Sequence, residues 1–175
     1  MKTTKHFVLF YGRSEWPSNW HNSGFWVKGI WFANGEQYMM YCKAMFFKDA
    51  ATAALILAEP DPKKVKVLGY AVKPYVDKEW AANRLRFVRR GLLEKAIQNP
   101  KIAVQLLATG NRILVEASPS DRIWGIGLGE NDPRALDPDL WQGENLLGQA
   151  WMWVRAQLRA GVLDAMRADM QQKAA

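Results

Sequence analysis

Cysteine and histidine are scarce in this chain. Cys42 is the single cysteine among 175 residues, so there is no second thiol for an internal disulfide or a multi-thiolate metal site. Histidine occurs only at His6 and His21, which gives little support to a catalytic His–Cys pair or a His-rich metal cluster. The chemistry of the protein is therefore expected to come from other side chains.

Long apolar runs are also missing. No window approaches the ~20 apolar residues that a membrane-spanning helix needs. The apolar run inside the opening MKTTKHFVLFYGR is too short for a signal peptide. We therefore expect a cytoplasmic protein without a membrane partner.

Basic and aromatic residues, by contrast, are abundant. The formal charge of +7 comes from 24 Lys and Arg against 17 Asp and Glu, and it concentrates in KKVK (63–66) and RLRFVRR (84–90). Such segments favour a polyanionic partner, and ordinary solvated helix faces are the alternative. Nine tryptophans suggest that part of the aromatic surface contacts a ligand, although core packing is their commoner use.

Strand signals lie mainly at the two ends of the sequence. Residues 7–11 are rich in strand-forming side chains, and residues 25–32 form a hairpin pattern that turns at Lys28-Gly29. A third strand is predicted over 112–118 and is followed by the glycine-rich segment SPSDRIWGIGLGEND. The GIGLG within it does not fit the dinucleotide-binding pattern G-x-G-x-x-G, and no amphipathic helix follows it directly.

Helix signals fill the middle of the chain. Asn34 is a predicted N-cap with Gln37 at the third helical position, and that helix is expected to run to about Phe47. Asp49 is predicted to open a second helix, Asp61 and Asp77 to cap the next two, and Pro100 to start a fifth. A last amphipathic helix is predicted over 140–158. The length fits one domain, residues 1–160, followed by a C-terminal helical tail, 161–175.

Glu36 and Lys43 are the first candidates for chemistry. Seven residues are nearly two turns of helix, so both side chains lie on one stripe of the predicted helix. That helix is apolar on most sides, and a buried charge is costly unless it is paired or used. Either the two form a structural pair, or Lys43 is a desolvated amine that attacks a sugar while Glu36 transfers protons.

Two later segments supply candidate binding residues. In ASPSDRIWGIG, Asp121 offers an acceptor for a hydroxyl group and Trp124 a plane on which a base stacks. In WQGENLLG, Trp141 and Asn145 lie at a predicted helix start, where free backbone N–H groups suit phosphate. Turn and cap chemistry is the commoner use of Asp121 and Asn145.

Several ordered motifs together resemble the NADAR family, named for NAD and ADP-ribose, which includes YbiA-like N-glycosidases. The resemblance spans about residues 7–158. Its motifs are PSNW (17–20), GEQYMMYCKA (35–44), the register W…R…G…KA.QNP (80–100), LLATGNRILVEASPSDRIWGIG (106–127) and W.GENLLG (141–148).

The resemblance implies a compact, mostly helical α+β domain with a small β-sheet, which hydrolyses N-glycosidic bonds to ribose without a metal or another cofactor. Lys43 is then the covalent amine and Glu36 its acid/base partner. The family often has Phe at the position of Trp20 and Ser, Thr or Cys near Asn34, and we expect neither difference to affect the chemistry. The implied substrate-binding set is Asn19, Trp20, Asp121, Trp124, Gly125, Trp141 and Asn145.

Three hypotheses for function follow. The first, implied by the resemblance, is a glycohydrolase that removes ADP-ribose from guanine in nucleic acid, DNA more than RNA. It is preferred over a small-metabolite enzyme because the chain is basic. The second is an N-glycosidase for riboflavin-pathway intermediates or another free ribosylated metabolite. The third is a module that binds ADP-ribose or NAD without cleaving it, against which the intact Glu36 and Lys43 argue. The sequence leaves the oligomeric state open.

Overall fold

The computed structural model describes residues 1–161, and the predicted tail lies outside the described residues from position 162 onward. The strands are β1 (Lys2–Thr3), β2 (Phe7–Phe10), β3 (Phe25–Val27), β4 (Ile30–Phe32) and β5 (Ile113–Glu116). The helices are α1 (Gly35–Phe46), α2 (Ala50–Ala58), α3 (Pro62–Ala71), α4 (Asp77–Gln98), α5 (Pro100–Ala108) and α6 (Leu146–Arg159). Two short 3₁₀ helices cover Pro133–Leu136 and Pro138–Leu140. The predicted α+β class, mostly helical with little sheet, is confirmed.

A three-stranded sheet, in the order β1-β2-β5, pairs two strands from the start of the chain with one that lies about a hundred residues later. Strands β1 and β2 are antiparallel, whereas β2 and β5 are parallel, with Phe7 opposite Ile113 and Phe10 opposite Glu116. All four residues of β2 are buried, as expected for a strand covered on both faces. The parallel pairing puts helices α1 to α5 into the crossover and leaves Glu116 at the end of β5.

The hairpin β3–β4 forms as the sequence predicts. Lys28 and Gly29 both have positive φ, 49° and 78°, which is the geometry of a two-residue type I′ turn. Phe25 and Phe32 point into the core against Tyr38 of α1. The hairpin therefore covers one side of the first helix.

Side-chain caps fix where the first three helices begin. The Asn34 side chain accepts a hydrogen bond from the Gln37 N–H at 2.9 Å, while Gln37 accepts one from the Ala33 N–H rather than from Asn34 itself. Asp49 and Asp61 cap α2 and α3 in the same way. The predicted starts of these three helices are confirmed.

One predicted N-cap and one predicted helix start are wrong. Asp77 is the first helical residue of α4, and Val76 occupies the cap without a side-chain hydrogen bond. The last helix begins at Leu146, not near residue 140, because Asn145 takes a left-handed conformation and bonds to β5 instead. The helix boundary depends on this long-range contact and cannot be obtained from local periodicity.

Helices α1, α4 and α6 enclose the main apolar core. Fully buried side chains at its centre include Ile56, Leu92, Leu106, Leu147 and Trp151. Trp16 meets Trp151 edge to face, with ring centroids 5.2 Å apart. Among residues 1–161, no helix combines the length and the apolar character needed to cross a membrane.

Candidate active site

A cleft of about 700 Å³ gathers most of the predicted site residues. One side of α1, bearing Glu36 and Lys43, lines it together with the loop 11–20. The remaining walls come from α3 with its connection to α4, and from the segment 116–124 that follows β5. The cleft is large enough for a nucleotide-sized ligand.

Glu36 enters this cleft from the first turn of α1. Gly35 permits the arrangement, because a Cβ at that position would lie 2.6 Å from Oδ1 of Asn19. The Glu36 N–H donates to the Asn19 carbonyl at 3.0 Å, which fixes the loop 17–20 against the helix.

The carboxyl of Glu36 lies in an apolar environment. Its Oε2 accepts a hydrogen bond from the Trp20 indole at 3.2 Å, and its Oε1 is buried without a protein partner. Burial raises the pKa of Glu36 to about 7, against the lowering effects of Lys66 and Trp20. At neutral pH the group is therefore suited to give and take a proton.

Lys43 lies two turns further along α1. Its Nζ donates to the Gly69 carbonyl at 2.7 Å and stands 4.1 Å from the centre of the Tyr75 ring. Desolvation lowers the pKa of Lys43, and the charge of Asp77 opposes that shift. The neutral amine is thus more accessible at Lys43 than on a solvated lysine.

Gly69 makes the lysine contact possible. A Cβ on this glycine would lie 2.0 Å from Sδ of Met40, so α1 and α3 approach this closely only because the side chain is absent. The approach brings the Gly69 carbonyl to Lys43. In the described part of the chain, no salt bridge joins Glu36 and Lys43, so the two groups are not a structural ion pair.

The segment after β5 brings Asp121 and Trp124 to the same cleft. Oδ1 of Asp121 accepts hydrogen bonds from the backbone N–H groups of Ile123 and Trp124, at 2.9 and 2.8 Å. One carboxyl oxygen of Asp121 thus stabilises the turn, which is the alternative role of this residue noted from the sequence. Trp124 is half-buried and forms part of the cleft wall.

Three predicted binding residues do not line the cleft. Gly125 lets the loop approach β5, since a Cβ there would lie 2.8 Å from the Glu116 carbonyl oxygen. Trp141 packs edge to face on Phe7 and donates to the Ala135 carbonyl. Asn145, only 1% exposed, donates to the Leu114 carbonyl and accepts from the Glu116 N–H. These side-chain contacts are structural. The backbone N–H groups of residues 145–147, predicted to be free for phosphate, instead donate to the carbonyls of residues 125, 123 and 124.

Comparison with known proteins decides the family. The model of the NADAR domain matches residues 9–159. This chain belongs to the NADAR family. Protein irg-1 of Caenorhabditis elegans is 38% identical, covering 89% of this chain and 81% of its own length. N-glycosidase R617 of Acanthamoeba polyphaga mimivirus is 36% identical, with 89% and 97% covered.

A solved structure agrees with this assignment. The NMR structure of the Escherichia coli protein YbiA superposes with a TM-score of 0.74 at 25% identity, covering 93% of this chain and 90% of that one. N-glycosidase Npun_R5314 of Nostoc punctiforme is 30% identical over 81% of this chain and 84% of its own. The names of these relatives support an N-glycosidase activity in general.

One expectation drawn from the NADAR resemblance is wrong. Trp20 stands where the family often has Phe, and we expected no effect on the chemistry. The indole of Trp20 donates directly to the Glu36 carboxyl and holds its pKa below the value that burial alone would give. The residue thus contacts the predicted acid/base group.

Sequence reasoning also missed residues of the NADAR cleft. Glu116 lines it from the end of β5, and Lys66 lines it from the predicted basic segment KKVK. An acid that ends an apolar strand, as in ILVE, is the signal that points to Glu116. Among residues 1–161, no group of three or more His, Cys, Asp or Glu side chains is arranged to hold a metal ion.

The two basic segments do not form one uniform surface. Lys63 and Lys64 are exposed at the start of α3. Arg84, by contrast, is buried in the cleft wall and pairs with Glu144 at 3.1 Å, while Arg90 pairs with Glu94. Part of the positive charge is therefore used inside the fold.

Proposed function

We propose that this NADAR protein is an N-glycosidase that removes ADP-ribose from ADP-ribosylated guanine in nucleic acid, through a covalent intermediate on Lys43. One observation carries the proposal: Lys43 and Glu36 line the same cleft, and burial disfavours the charged form of each side chain. Burial lowers the pKa of Lys43 and raises that of Glu36 to about 7. A neutral amine and a protonated acid are the states that nucleophilic displacement of a base requires.

The reaction begins when the lone pair of Lys43 Nζ forms a bond to C1 of the ribose. The bond from C1 to the base nitrogen breaks, and protonated Glu36 supplies the proton that the leaving base takes up. The new ammonium returns a proton to the Glu36 carboxylate. Glu36 then donates this proton to the ring oxygen, and the bond from C1 to that oxygen breaks as the nitrogen lone pair forms the C=N bond of a protonated Schiff base.

Water completes the cycle. Glu36 accepts a proton from the water molecule that adds to the C1 iminium and passes it to the Lys43 nitrogen. The bond from C1 to Lys43 then breaks as the C1 hydroxyl gives its proton to Glu36 and becomes the carbonyl of the free sugar. The balance is one substrate and one water converted into free base and free sugar. Lys43 and Glu36 end in the states in which they began.

Cationic side chains in the cleft support a substrate of the ADP-ribose class. Arg13, Lys66 and Arg122 contribute to the cleft lining, and Arg13 and Arg122 are exposed to solvent. Cationic side chains at the mouth of a cleft attract a phosphorylated ligand and raise its rate of association. Trp124 and the exposed Tyr70 offer aromatic planes in the same cleft.

A riboflavin-pathway intermediate is the second candidate substrate. Riboflavin biosynthesis protein VVA0006 of Vibrio vulnificus is 29% identical over 87% of this chain, which spans 38% of that protein's length. A cleft of about 700 Å³ also suits a free ribosyl phosphate. A module that only binds ADP-ribose is less well supported, because binding alone does not need a buried amine and acid.

Two substrates tested in parallel distinguish these candidates. The protein is incubated with a DNA oligonucleotide carrying ADP-ribosylated guanine and, separately, with riboflavin-pathway intermediates. Mass spectrometry follows free ADP-ribose and free base. We expect release of ADP-ribose from the oligonucleotide, and release of base from the free intermediate alone would favour the second candidate.

Borohydride added during turnover tests the covalent step. Reduction of a Schiff base is expected to fix one sugar-derived mass on the peptide that contains Lys43. Lys43→Arg is the matched control, since arginine keeps the charge but stays protonated. Turnover without any adduct on this peptide would contradict the covalent mechanism.

Salt dependence tests the nucleic-acid partner. If Lys63, Lys64 and the cationic cleft residues contact phosphates, affinity for the modified oligonucleotide falls steeply with salt, because bound counterions are released. Lys63→Gln and Lys64→Gln together are expected to reduce this slope. A flat response would instead favour a free metabolite.

A further inference from the structure

Three buried oxygen atoms that have no hydrogen-bond partner within residues 1–161 line the same cleft. They are Oδ1 of Asn19, Oε1 of Glu36 and Oε2 of Glu116. Asn19 and Glu36 are 5% and 4% exposed, so neither side chain can turn to bulk solvent. Buried acceptors of this kind are costly unless a donor reaches them. Their common location indicates a ligand that brings several hydrogen-bond donors.

Glu116 is held in place as a site residue would be. It ends β5, and its backbone N–H donates to the Asn145 side chain at 3.0 Å. Asn145 in turn bonds to the Leu114 carbonyl, which fixes the last residues of the strand. The side chain is therefore presented to the cleft by a rigid element.

Glu116 also lies within electrostatic range of the proposed acid/base group. Burial raises the pKa of Glu116 to about 8, and the charges of Asp121 and Glu36 add to that effect. Lys66 acts on both glutamates in the opposite direction. Both carboxyl groups line the same cleft.

We infer that Glu116, together with Asn19, accepts hydrogen bonds from the hydroxyl groups of the reacting ribose. The inference rests on the proposed function, in which Glu36 meets the atoms of the glycosidic bond. The C2 atom that bears one of these hydroxyls is bonded directly to the attacked C1, so an acceptor in the cleft that contains Glu36 is placed to receive its hydrogen bond. A carboxyl group keeps an acceptor oxygen in either protonation state.

The chemistry favours ribose as the donor. Carboxylates recognise ribose hydroxyls in dinucleotide sites, and hydrogen bonds to the C2 hydroxyl strengthen as a glycosidic bond breaks. ADP-ribosylated guanine and a free ribosylated metabolite both contain that hydroxyl, whereas their bases differ in the donors they carry. Glu116 is thus assigned a role in selecting ribose over 2-deoxyribose.

Two matched ligands test the assignment. Titration calorimetry compares ADP-ribose with the analogue that lacks the C2 hydroxyl of the reacting ribose. Wild-type protein is expected to bind ADP-ribose about tenfold more tightly than the analogue, since one buried hydrogen bond is lost. Glu116→Met should reduce that ratio to near one, and Glu116→Gln, which keeps an acceptor oxygen, should restore most of it.

The control variant is Glu79→Gln, on the exposed surface of α4 and outside the cleft. It is expected to keep the full ratio. Should Glu116→Met discriminate between the two ligands as wild type does, the assignment is wrong. If Glu116→Met does not unfold cooperatively, the test rests on the ratio of the two affinities in wild type. Equal binding of both ligands by wild type would overturn the inference.

A turnover assay separates this inference from the proposed function. Oligonucleotides carrying guanine linked to ADP-ribose or to its 2-deoxy counterpart are compared with wild type and Glu116→Met. Cleavage with unchanged discrimination in Glu116→Met would leave the function standing and overturn the role of Glu116. Absence of cleavage by wild type, with the calorimetric ratio lost in Glu116→Met, would overturn the function and support the ribose contact.

Discussion

Lys43 and Lys95 are two buried lysines in different regions of the molecule, and their surroundings are similar in several respects. Each donates to a backbone carbonyl, Gly69 for the first and Ser18 for the second, at 2.7 and 3.1 Å. Each lies over an aromatic ring, and burial lowers the pKa of each. Neither makes a salt bridge within residues 1–161.

The difference between them is access. Lys95 is fully enclosed and does not line the cleft, whereas Lys43 is 7% exposed and opens onto it on the same side of α1 as Glu36. Lys95 anchors the loop 17–20 through its hydrogen bond to Ser18, and burial lowers its pKa to about 7. A lowered pKa alone therefore does not identify a reactive lysine, because structural burial produces the same shift.

Replacing each lysine separately is the strongest test of this comparison. Lys43→Arg is expected to lower kcat/KM by at least about 10⁴-fold, since it removes the nucleophile. Lys95→Met is expected to change activity by less than about tenfold, a loss on the scale of one hydrogen bond. The loop 17–20 keeps two further anchors, from Trp151 to the Pro17 carbonyl and from the Glu36 N–H to Asn19. Comparable losses in both variants would contradict the distinction.

Glu36→Gln tests whether the second member of the pair transfers protons. The change is expected to lower kcat by about 10²- to 10⁴-fold, the usual contribution of a general acid or base. Because burial raises the pKa of Glu36 to about 7, the protonated acid is abundant below pH 7 and declines above it. A wild-type rate profile should bend near pH 7, and the bend should be absent in the variant.

The binding of substrate is expected to survive in Glu36→Gln, since glutamine has nearly the same shape. Equilibrium binding of ADP-ribose provides the check. A variant that loses binding and turnover in equal proportion would show that Glu36 has a binding role only.

Lys95→Met also has a pH-dependent effect on stability. The pKa is about 7 in the fold and 10.5 as the reference value, so stability from the neutral amine is present above about pH 10.5 and is lost as pH falls through 7. Methionine carries no such penalty. The variant is expected to be more stable than wild type by about 1–3 kcal/mol at pH 7, after the lost hydrogen bond to Ser18 is included.

Urea unfolding of both proteins at pH 7 and pH 10 measures this effect. The advantage of Lys95→Met should shrink at the higher pH, because the wild-type lysine is then largely neutral in the fold and less of the unfolded chain is protonated. An advantage that grows with pH would show that the buried amine is charged in the folded protein.

The locally determined parts of the site could be predicted from the sequence. The Asn34 side chain caps α1 by accepting a hydrogen bond from the Gln37 N–H. The seven-residue spacing then places Glu36 and Lys43 on the side of α1 that lines the cleft. The Lys28-Gly29 turn is equally local. Each of these features depends on residues within two helical turns of one another.

The parts that were missed depend on contacts between distant segments. Glu116 reaches the cleft only because β5 pairs with β2, more than a hundred residues earlier in the chain. Asn145 faces β5 rather than a ligand because α6 packs against that strand. Hydrophobic periodicity contains no information about such pairings, so it gave no role to Glu116. The binding role of Asn145 was predicted from its place at a helix start and from the family resemblance, neither of which contains the contact with β5.

Trp20→Phe is expected to have the smallest effect. It tests the environment of Glu36, the acid that shares the cleft with Lys43 and not with Lys95. The indole hydrogen bond at 3.2 Å favours ionised Glu36, and phenylalanine removes it while keeping an aromatic ring. The pKa of Glu36 should therefore rise, and the bend of the rate profile should move to higher pH. Activity at pH 7 is expected to change by roughly two- to tenfold, the scale of one hydrogen bond. Rate profiles of the two proteins from pH 5 to 9 provide the measurement, and a bend that moves to lower pH would show that Trp20 does not stabilise the carboxylate.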